Sequence, residues 1–507
     1  MPGKVYLVGA GPGDPGLLTL RGKTLLERAD CVIYDFLANE ELLKYTPALC
    51  ERIFVGKRAG THTLSQEQIN GLLAEKSRQG DTVVRLKGGD PFTFGRGGEE
   101  AAALREAGIP FEIVPGISSG IAVPAYAGIP VTHRKVSASV SFVSIRAEPS
   151  AETNGSDPIP VFPNSDTTVF LMGTRSLASI TSALLKQGRS SSTPVAVIRW
   201  GTLPYQETTV GTLGDIVSKT RGVAPPTIVV VGEVVNLRNQ LRWYEHLPLF
   251  GKRIVITRPR EQAEPLREAL AERGALPIEM PMIEIRDPDS WGPLDDAIRR
   301  LEQFDYLLVT SVNGARKFLA RLAASGRDVR DLKGIEIGAI GPATAAELAR
   351  SGLRADFVPA EYRAEGLVEI LSERELQGKS FLIPRARVAR DLVPRALRER
   401  GARVEVIEAY RTEMPSLQPE EVHGRLTPIP DVITFTSSST ATNFSELHLS
   451  PELRQKLAQA KIASIGPVTS ETLRRLGMAT DIEAKESTAP ALISAIESYF
   501  AAEGGHS

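Results

Sequence analysis

A chain of 507 residues exceeds what one hydrophobic core organises, since single cores stop growing at roughly 250–300 residues, so at least two cooperative units are expected. Hydrophobic residues at 42% and charged residues at 24% exclude a largely disordered chain. A formal net charge of −1, from 60 Lys and Arg against 61 Asp and Glu, excludes a broad cationic surface for nucleic acid, so an anionic ligand must be small and held locally.

The N-terminal stretch MPGKVYLVGAGPGDPG meets glycine and proline too early to hold the apolar core of a secretion signal. No run of about 18 apolar residues follows, so no membrane span is expected. The cysteines, Cys31 and Cys50, are too few for a disulfide framework and fit a reducing, cytoplasmic setting.

In chain order, the run Val5 to Val8 is too short for a helix and suits a buried parallel strand, followed by a glycine turn and a helix. CVIYD, Cys31 to Asp35, reads as a second strand. Val83 to Leu86 reads as a third, then a glycine-rich loop and a helix beginning near Glu99. FEIVPG repeats the strand-to-loop step. This alternation predicts a mostly parallel sheet with ligands beyond the strand C-termini. Glu148 to Asp166 reads as an exposed connection. TTVFLMG, a helix around Leu177 to Gln187, PVAVIRWGT and PTIVVVGEVV then resume α/β alternation as a second lobe. A short junction near His246 to Gly251 leads into a fresh strand at Ile254 to Thr257.

The remaining half contains an internal echo. KRIVITRPREQAEPLREALAERGALPIE parallels KSFLIPRARVARDLVPRALRERGARVEV, with Arg258 to Gly274 and Arg385 to Gly401 the same distance apart. FDYLLVTSVNG with IGAIGPATA parallels DVITFTSSS with IASIGPVTS. Two similar α/β lobes with a ligand cleft between them are expected, and the last residues, AAEGGHS, read as a frayed tail.

The loop VGAGPGDPG imitates a dinucleotide fingerprint, but Pro12 and Pro15 remove amide donors and stiffen it, which argues against a nicotinamide cofactor. On its own the loop reads equally as a structural turn. With VGKRAGTHTLSQEQIN, VVRLKGGDPFTFGRGGEE and VPGISSGIAVPAYAGIPVTHR, it strongly resembles uroporphyrinogen-III C-methyltransferases of the precorrin methyltransferase family, a likeness that TVFLMG and PTIVVVGEVV extend to about Leu241. The resemblance implies a bilobed fold holding S-adenosylmethionine, with S-adenosylhomocysteine as product. It implicates Pro12, Gly88, Gly89, Asp90, Thr93, Ser118, Ser119, Met172 and Gly201 in cofactor binding. Thr93 stands where the family usually has isoleucine. The resemblance also gives Asp35 as proton acceptor or charge partner and Lys57 as donor or carboxylate contact, although Asp35 reads alternatively as a turn cap. Arg58, Arg85, Arg96, His133, Arg134 and Lys135 are candidate contacts for a polycarboxylate substrate, each reading individually as an ordinary surface or structural residue. Scattered histidines, His62 among them, form no metal-ligand spacing, so no metal is expected. FVSIRAE departs from the family's F-V-T-G-H at Ser144, Ile145 and Arg146, where Arg146 could contact a carboxylate instead.

From Lys252 to Tyr499 the motifs VITRP, LLVTSVNG, IGAIGPATA, VIEAYRT, ITFTSSS and IASIGPVT resemble uroporphyrinogen-III synthase in content and order. The resemblance implies ring closure of linear hydroxymethylbilane with inversion of the last pyrrole, without a cofactor, and makes Tyr410 the group that hydrogen-bonds or protonates the leaving hydroxyl. Thr310, Ser311, Ser437, Ser438, Thr469 and Ser470 fall in strand-end loops, where they would bind carboxylates or simply cap turns. Arg258 and Arg385, equivalent in the echo, would anchor propionates from opposing lobes.

The expected fold is α/β: a bilobed methylase at 1–245, with lobes about 1–118 and 119–245, then a bilobed synthase at 252–500. The synthase lobes are about 252–284 plus 414–500, and 285–413. The expected product is uroporphyrinogen III methylated at two ring carbons to precorrin-2, for siroheme or corrinoid synthesis. The resemblance further implies a homodimer through the methylase half. The altered FVSIRAE segment motivates a second reading, a tetrapyrrole-binding regulatory or scaffold protein.

Overall fold

The computed structural model describes residues 3–56, 64–145, 161–361 and 363–504. The chain divides into two compact units, Met1–Lys252 with Leu270–Leu276, and Arg253–Ala269 with Pro277–Ser507.

The first unit holds two five-stranded sheets. Strands β1 (Val5–Gly9), β2 (Cys31–Tyr34), β3 (Glu51–Phe54), β4 (Val83–Lys87) and β5 (Phe111–Val114) make the first, in the order β3-β2-β4-β1-β5. Every pair is parallel. Helices cover both faces, so the inner strands are apolar on both sides: Leu7, Val8, Val32, Ile33, Val83 and Val84 are all fully buried. The edge strand β3 begins with exposed Glu51 and Arg52, which is why no strand was expected there.

Strands β6 (Val140–Ser144), β7 (Thr167–Leu171), β8 (Pro194–Arg199), β9 (Glu207–Thr212) and β10 (Thr227–Val231) make the second sheet, ordered β6-β7-β10-β8-β9. Here parallel pairing stops. Only β6 and β7 run parallel; the other pairs are antiparallel. The turn joining β8 to β9 contains no helix, and antiparallel neighbours need none. The expected exposed connection also ends sooner than the composition suggests. Residues 146–160 lie outside the described residues, but Phe162 is 6% exposed and packs edge-on against Phe170 at 4.9 Å between ring centroids.

The second unit opens with β11 (Arg253–Ile256) and β12 (Leu276–Glu279). Next come β13 (Glu284–Arg286), β14 (Tyr306–Val309), β15 (Glu336–Ala339), β16 (Ser380–Ala386) and β17 (Arg403–Glu413), which form one sheet in the order β13-β17-β16-β14-β15. The chain then returns with β18 (Val432–Phe435), β19 (Lys461–Ser464) and β20 (Ile482–Glu483) to complete the other, β12-β11-β18-β19-β20.

The sequence echo is a structural one. After β14, Ser311 (φ −167°, ψ 156°) caps the helix Val312–Ala324 by accepting the Gly314 amide; after β18, Ser437 (φ −164°, ψ 159°) caps Ser438–Ser445 by accepting the Thr440 amide. Likewise Gly341 and Gly466 precede helices that begin with Pro342 and Pro467. Proline suits a first helical turn because the amide it lacks would have no intrahelical partner. No helix among the described residues is long and apolar enough to cross a membrane.

Candidate active sites

In the first unit the loops leaving β1, β4 and β5 converge through glycine. A Cβ on Gly116 would lie 2.3 Å from the Gly89 carbonyl oxygen and 2.6 Å from the Gly9 Cα, so bare backbone is required where the three loops cross. Gly11 and Gly89 exchange backbone hydrogen bonds of 3.2 and 2.7 Å, which fixes half-buried Pro12 beside the Gly88-Gly89 turn. At Gly89, φ is +70° and a Cβ would meet only the Ser119 amide at 3.8 Å, leaving an open cradle walled by backbone.

Asp90 shapes that cradle from beneath. One carboxylate oxygen accepts the Phe92 amide (2.9 Å), the Thr93 amide (2.8 Å) and the Thr93 hydroxyl (3.0 Å), while the other accepts the Gly116 amide (3.0 Å). The threonine that departs from the family pattern therefore adds a bond to the loop's organising carboxylate. Ser118 caps the helix Ser119–Tyr126 through the Gly120 amide.

Backbone strain accompanies these loops. The non-glycine residues with positive φ among the described residues are Phe94 (56°), Arg96 (57°), Met172 (58°), Trp200 (50°) and Thr202 (71°), all in this unit. Each costs about 1 kcal/mol or more and persists only where the surroundings impose it, a pattern that concentrates at ligand sites. Gly201 sits between two of them, with no room for a Cβ against Val123 at 2.3 Å. Thr202, 1% exposed, accepts the Asp14 amide at 3.1 Å, and Asp14 in turn accepts the Tyr126 hydroxyl at 2.6 Å. Asp14, Tyr126 and Thr202 thus join the loop after β1 to elements of the second sheet, a role invisible in linear spacing.

Phe36, Leu37, Phe92, Phe94 and Met172, in the segments after β2, β4 and β7, and Ile121, in the helix after β5, are between 45% and 61% exposed, large apolar side chains left open near this rim.

Asp35 follows β2 at this rim. One oxygen accepts the Leu37 amide (3.2 Å), so the turn-capping reading is realised; the other pairs with Arg85 at 3.0 Å. Arg85 requires a correction. Expected as a substrate contact, it is 3% exposed and donates to Asp35, to Glu100 at 3.1 Å, and to the carbonyls of Ile33 and Leu86. A buried guanidinium with its donors engaged inside the protein has no face for a substrate carboxylate. Lys87, two residues along β4 and so on the same face, reaches the same Glu100 oxygen at 2.9 Å, and burial lowers its pKa. Two cations alternating in a strand of otherwise apolar residues were a legible sign of a buried acid, and Glu100 is that acid.

Arg96 forms an exposed two-pronged pair with Glu99. His133 and Arg134 are exposed on a turn closed by His133 and Ser137. Lys57, Arg58, His62 and Arg146 lie outside the described residues.

In the second unit, Tyr410 is 7% exposed on β17, opposite a register shift between Arg385 and Ala386. Its hydroxyl lies 3.0 Å from the Ser311 hydroxyl. Burial raises the phenol's pKa and the Ser311 hydrogen bond lowers it, burial being the larger effect, so the phenol is protonated at neutral pH. Thr310 is the single residue between β14 and the Ser311 cap.

Arg258 and Arg385 do not behave alike. Arg385 is held by Asp391 at 3.2 Å and the Arg390 carbonyl at 2.8 Å, which corrects its expected role as a free anchor. Half-buried Arg258 reaches only the Gln262 amide oxygen at 3.3 Å, makes no ion pair among the described residues, and has its pKa lowered by burial alone. Gln262 continues to Asn313 at 3.2 Å, linking the turn after β11 to the helix that Ser311 caps. Linear spacing marks neither Gln262 nor Asn313, because their meeting depends on the packing of distant elements.

The remaining hydroxyls are corrected from loop residues to helix openings. Ser437 caps its helix, Ser438 accepts from Thr472 at 2.8 Å, and Thr469 and Ser470 lie buried in the first turn of Pro467–Arg475, with Ser470 bonded to Glu483. Thr344, 3% exposed, holds the position in the facing repeat that corresponds to Thr469.

Two α/β units, one with a glycine-walled cradle beside exposed apolar side chains and one with a buried phenol and a guanidinium that makes no ion pair among the described residues, have the features of enzyme sites. The family described as Tetrapyrrole (Corrin/Porphyrin) Methylases matches residues 4–217, and that described as Uroporphyrinogen-III synthase HemD matches residues 264–494. The chain is 38% identical over 452 residues to the porphyrin biosynthesis protein HemD of Ruminiclostridium josui, covering 87% of this chain and 88% of that one. It is 42% identical over 332 residues to a uroporphyrinogen-III C-methyltransferase of Bacillus subtilis, covering 65% and 68%. To the enzyme of that name from Priestia megaterium it is 51% identical over 239 residues, covering 46% and 99%. The chain belongs to the family in which a tetrapyrrole methylase is fused to a uroporphyrinogen-III synthase. It is a bifunctional enzyme of tetrapyrrole synthesis, with an S-adenosylmethionine-dependent methylase domain and a HemD-type cyclase domain.

Proposed function

We propose that the synthase domain, about 252–500, closes hydroxymethylbilane to uroporphyrinogen III with inversion of the last ring. The methylase domain, about 1–245, then methylates two ring carbons to give precorrin-2. The proposal includes a cytoplasmic setting and a homodimer formed through the methylase domain.

In the methylase, bound S-adenosylmethionine supplies an electrophilic sulfonium methyl. Pro12, Gly88, Gly89, Ser119, Met172 and Gly201 would hold it mainly through backbone, a fit supported by the open cradle at Gly89 and the positive φ of Met172. Asp90 and Ser118 keep the loops in shape, and Thr93 supports Asp90. The apolar rim would receive the macrocycle face while Arg96, Arg134 and His133, with Lys57 and Arg58, meet carboxylates at its edge. Asp35, steadied by Arg85, would accept the proton released after methyl transfer or serve as a charge partner. Alignment of donor and acceptor carbon is the main contribution of such a site.

In the synthase, Tyr410 gives its phenolic proton to the departing hydroxyl; the C–O bond breaks, water leaves, and the electron pair of the pyrrole nitrogen stabilises the cationic end. The proton lost when the ring closes restores the phenol. Thr310 and Ser438 stand at helix openings that would meet substrate carboxylates; Ser437 caps its own helix, Thr469 and Ser470 are buried within theirs, and Arg385 secures its own loop.

The observation that carries this reading is Arg258, a half-buried guanidinium that makes no ion pair among the described residues and is linked through Gln262 to Asn313, which lies two residues from Ser311. Burying an unpaired charge is unfavourable and persists where a ligand's anion completes the pair. Arg258→Leu is expected to raise the KM for hydroxymethylbilane roughly ten- to hundredfold, the loss of one or two charge-assisted bonds, while leaving the melting temperature unchanged or higher. Arg385→Leu should change KM less than threefold. An unchanged KM in Arg258→Leu, measured by initial rates, removes the anchor role.

A further inference from the structure

The two serine caps of the synthase repeat are near-identical in backbone conformation and differ in one contact. Ser311 and Ser437 each accept an amide from their own helix, Gly314 at 2.9 Å and Thr440 at 3.3 Å. Beyond the cap, Ser437 meets only Thr440 among the described residues, at 3.4 Å between hydroxyls, whereas Ser311 meets the buried phenol of Tyr410 at 3.0 Å. A serine hydroxyl has one proton and two lone pairs. The Gly314 amide occupies a lone pair of Ser311, so the hydroxyl proton is available for Tyr410.

We propose that Ser311 is a positioning residue for ring closure: it donates its hydroxyl proton to the Tyr410 oxygen, so that the phenol's own proton points away toward the leaving hydroxyl. The inference rests on the proposed role of Tyr410 and reassigns Ser311 from binding substrate to orienting the acid.

Several features support this direction of donation. The capping bond fixes the Ser311 oxygen, and the cap itself follows β14 after a single residue, so the donor is placed before substrate arrives. When Tyr410 has given up its proton, the Ser311 hydroxyl remains as a ready partner for the phenolate in a nearly water-free position, where such a bond is strongest. Were the phenol to donate to Ser311 instead, its proton would be engaged and unavailable to the leaving group.

The test uses the full-length protein in four versions: unaltered, Ser311→Ala, Ser437→Ala and Tyr410→Phe. Both serine variants lose a cap and should fall similarly in melting temperature. Ser311→Ala alone is expected to lower kcat for ring closure roughly tenfold with KM changed less than threefold. It should also move the Tyr410 phenol to higher pH in the NMR titration of ring-labelled tyrosine, the signal being assigned by its absence in Tyr410→Phe. Ser311→Thr, which keeps a hydroxyl at the cap, should recover most of the rate. Equal kcat in Ser311→Ala and Ser437→Ala, or an unmoved Tyr410 titration, overturns the proposal while Tyr410 keeps its role. Full activity in Tyr410→Phe overturns the underlying reading instead.

Discussion

Replacing Glu100 with glutamine is expected to destabilise the methylase domain by about 3–5 kcal/mol, the usual cost of removing one partner from a buried ionic cluster. Glu100 is fully buried, and a single one of its oxygens receives Arg85 at 3.1 Å, Lys87 at 2.9 Å and Gln66 at 3.3 Å. An amide keeps the volume and removes the charge, leaving Arg85, 3% exposed, its pair with Asp35 and leaving Lys87, 4% exposed, without its ion pair to Glu100. The sign of the pH dependence follows from Lys87. Its pKa is already lowered by burial, and without Glu100 it falls further. Between that value and the ordinary lysine range the unfolded chain binds a proton that the folded chain does not, so stability rises with pH. The defect should therefore be largest near neutrality and shrink as pH is raised toward the ordinary lysine range. The midpoint of heat inactivation, read separately for methylation and ring closure, distinguishes the outcomes: methylation should fail earlier in Glu100→Gln and ring closure should not. Coincident midpoints with the unaltered chain would show that the cluster contributes nothing to the fold.

Tyr410→Phe should reduce ring closure about 10²- to 10⁴-fold, the range associated with losing a positioned general acid. The ring stays buried and only one hydrogen bond to Ser311 is lost, so the stability change should be about 1 kcal/mol. That asymmetry separates catalysis from folding. Methylation of supplied uroporphyrinogen III should be unaffected. A variant that closes the ring with inversion at more than half the normal rate would assign the acid elsewhere.

Much of the architecture was legible because its signals are local. Val5 to Val8 and Val83 to Leu86 are apolar runs of strand length between glycine loops, and they form the inner strands of a parallel sheet. The repeat was legible as well, since the same capping serines and Gly-Pro helix starts recur after equivalent strands. Strand direction in the second sheet was not, because whether β10 lies parallel or antiparallel to β7 is decided by connections and packing, not by composition. Among candidate site residues the difficulty lay with charge. Arg85 and Arg385 carry the same side chain as Arg258, and only position shows that Arg85 serves Asp35 and Glu100, Arg385 serves Asp391, and Arg258 meets no acid among the described residues. Strain at Met172, Trp200 and Thr202 likewise has no sequence signature, since these residues ordinarily avoid positive φ.

One incubation shows whether a single chain carries both consecutive reactions: the purified protein with hydroxymethylbilane and S-adenosylmethionine, analysed for product mass and isomer. The predicted result is a type III macrocycle bearing two added methyl groups, with S-adenosylhomocysteine released. Recovery of only the non-inverted isomer, without added methyl groups, would contradict it.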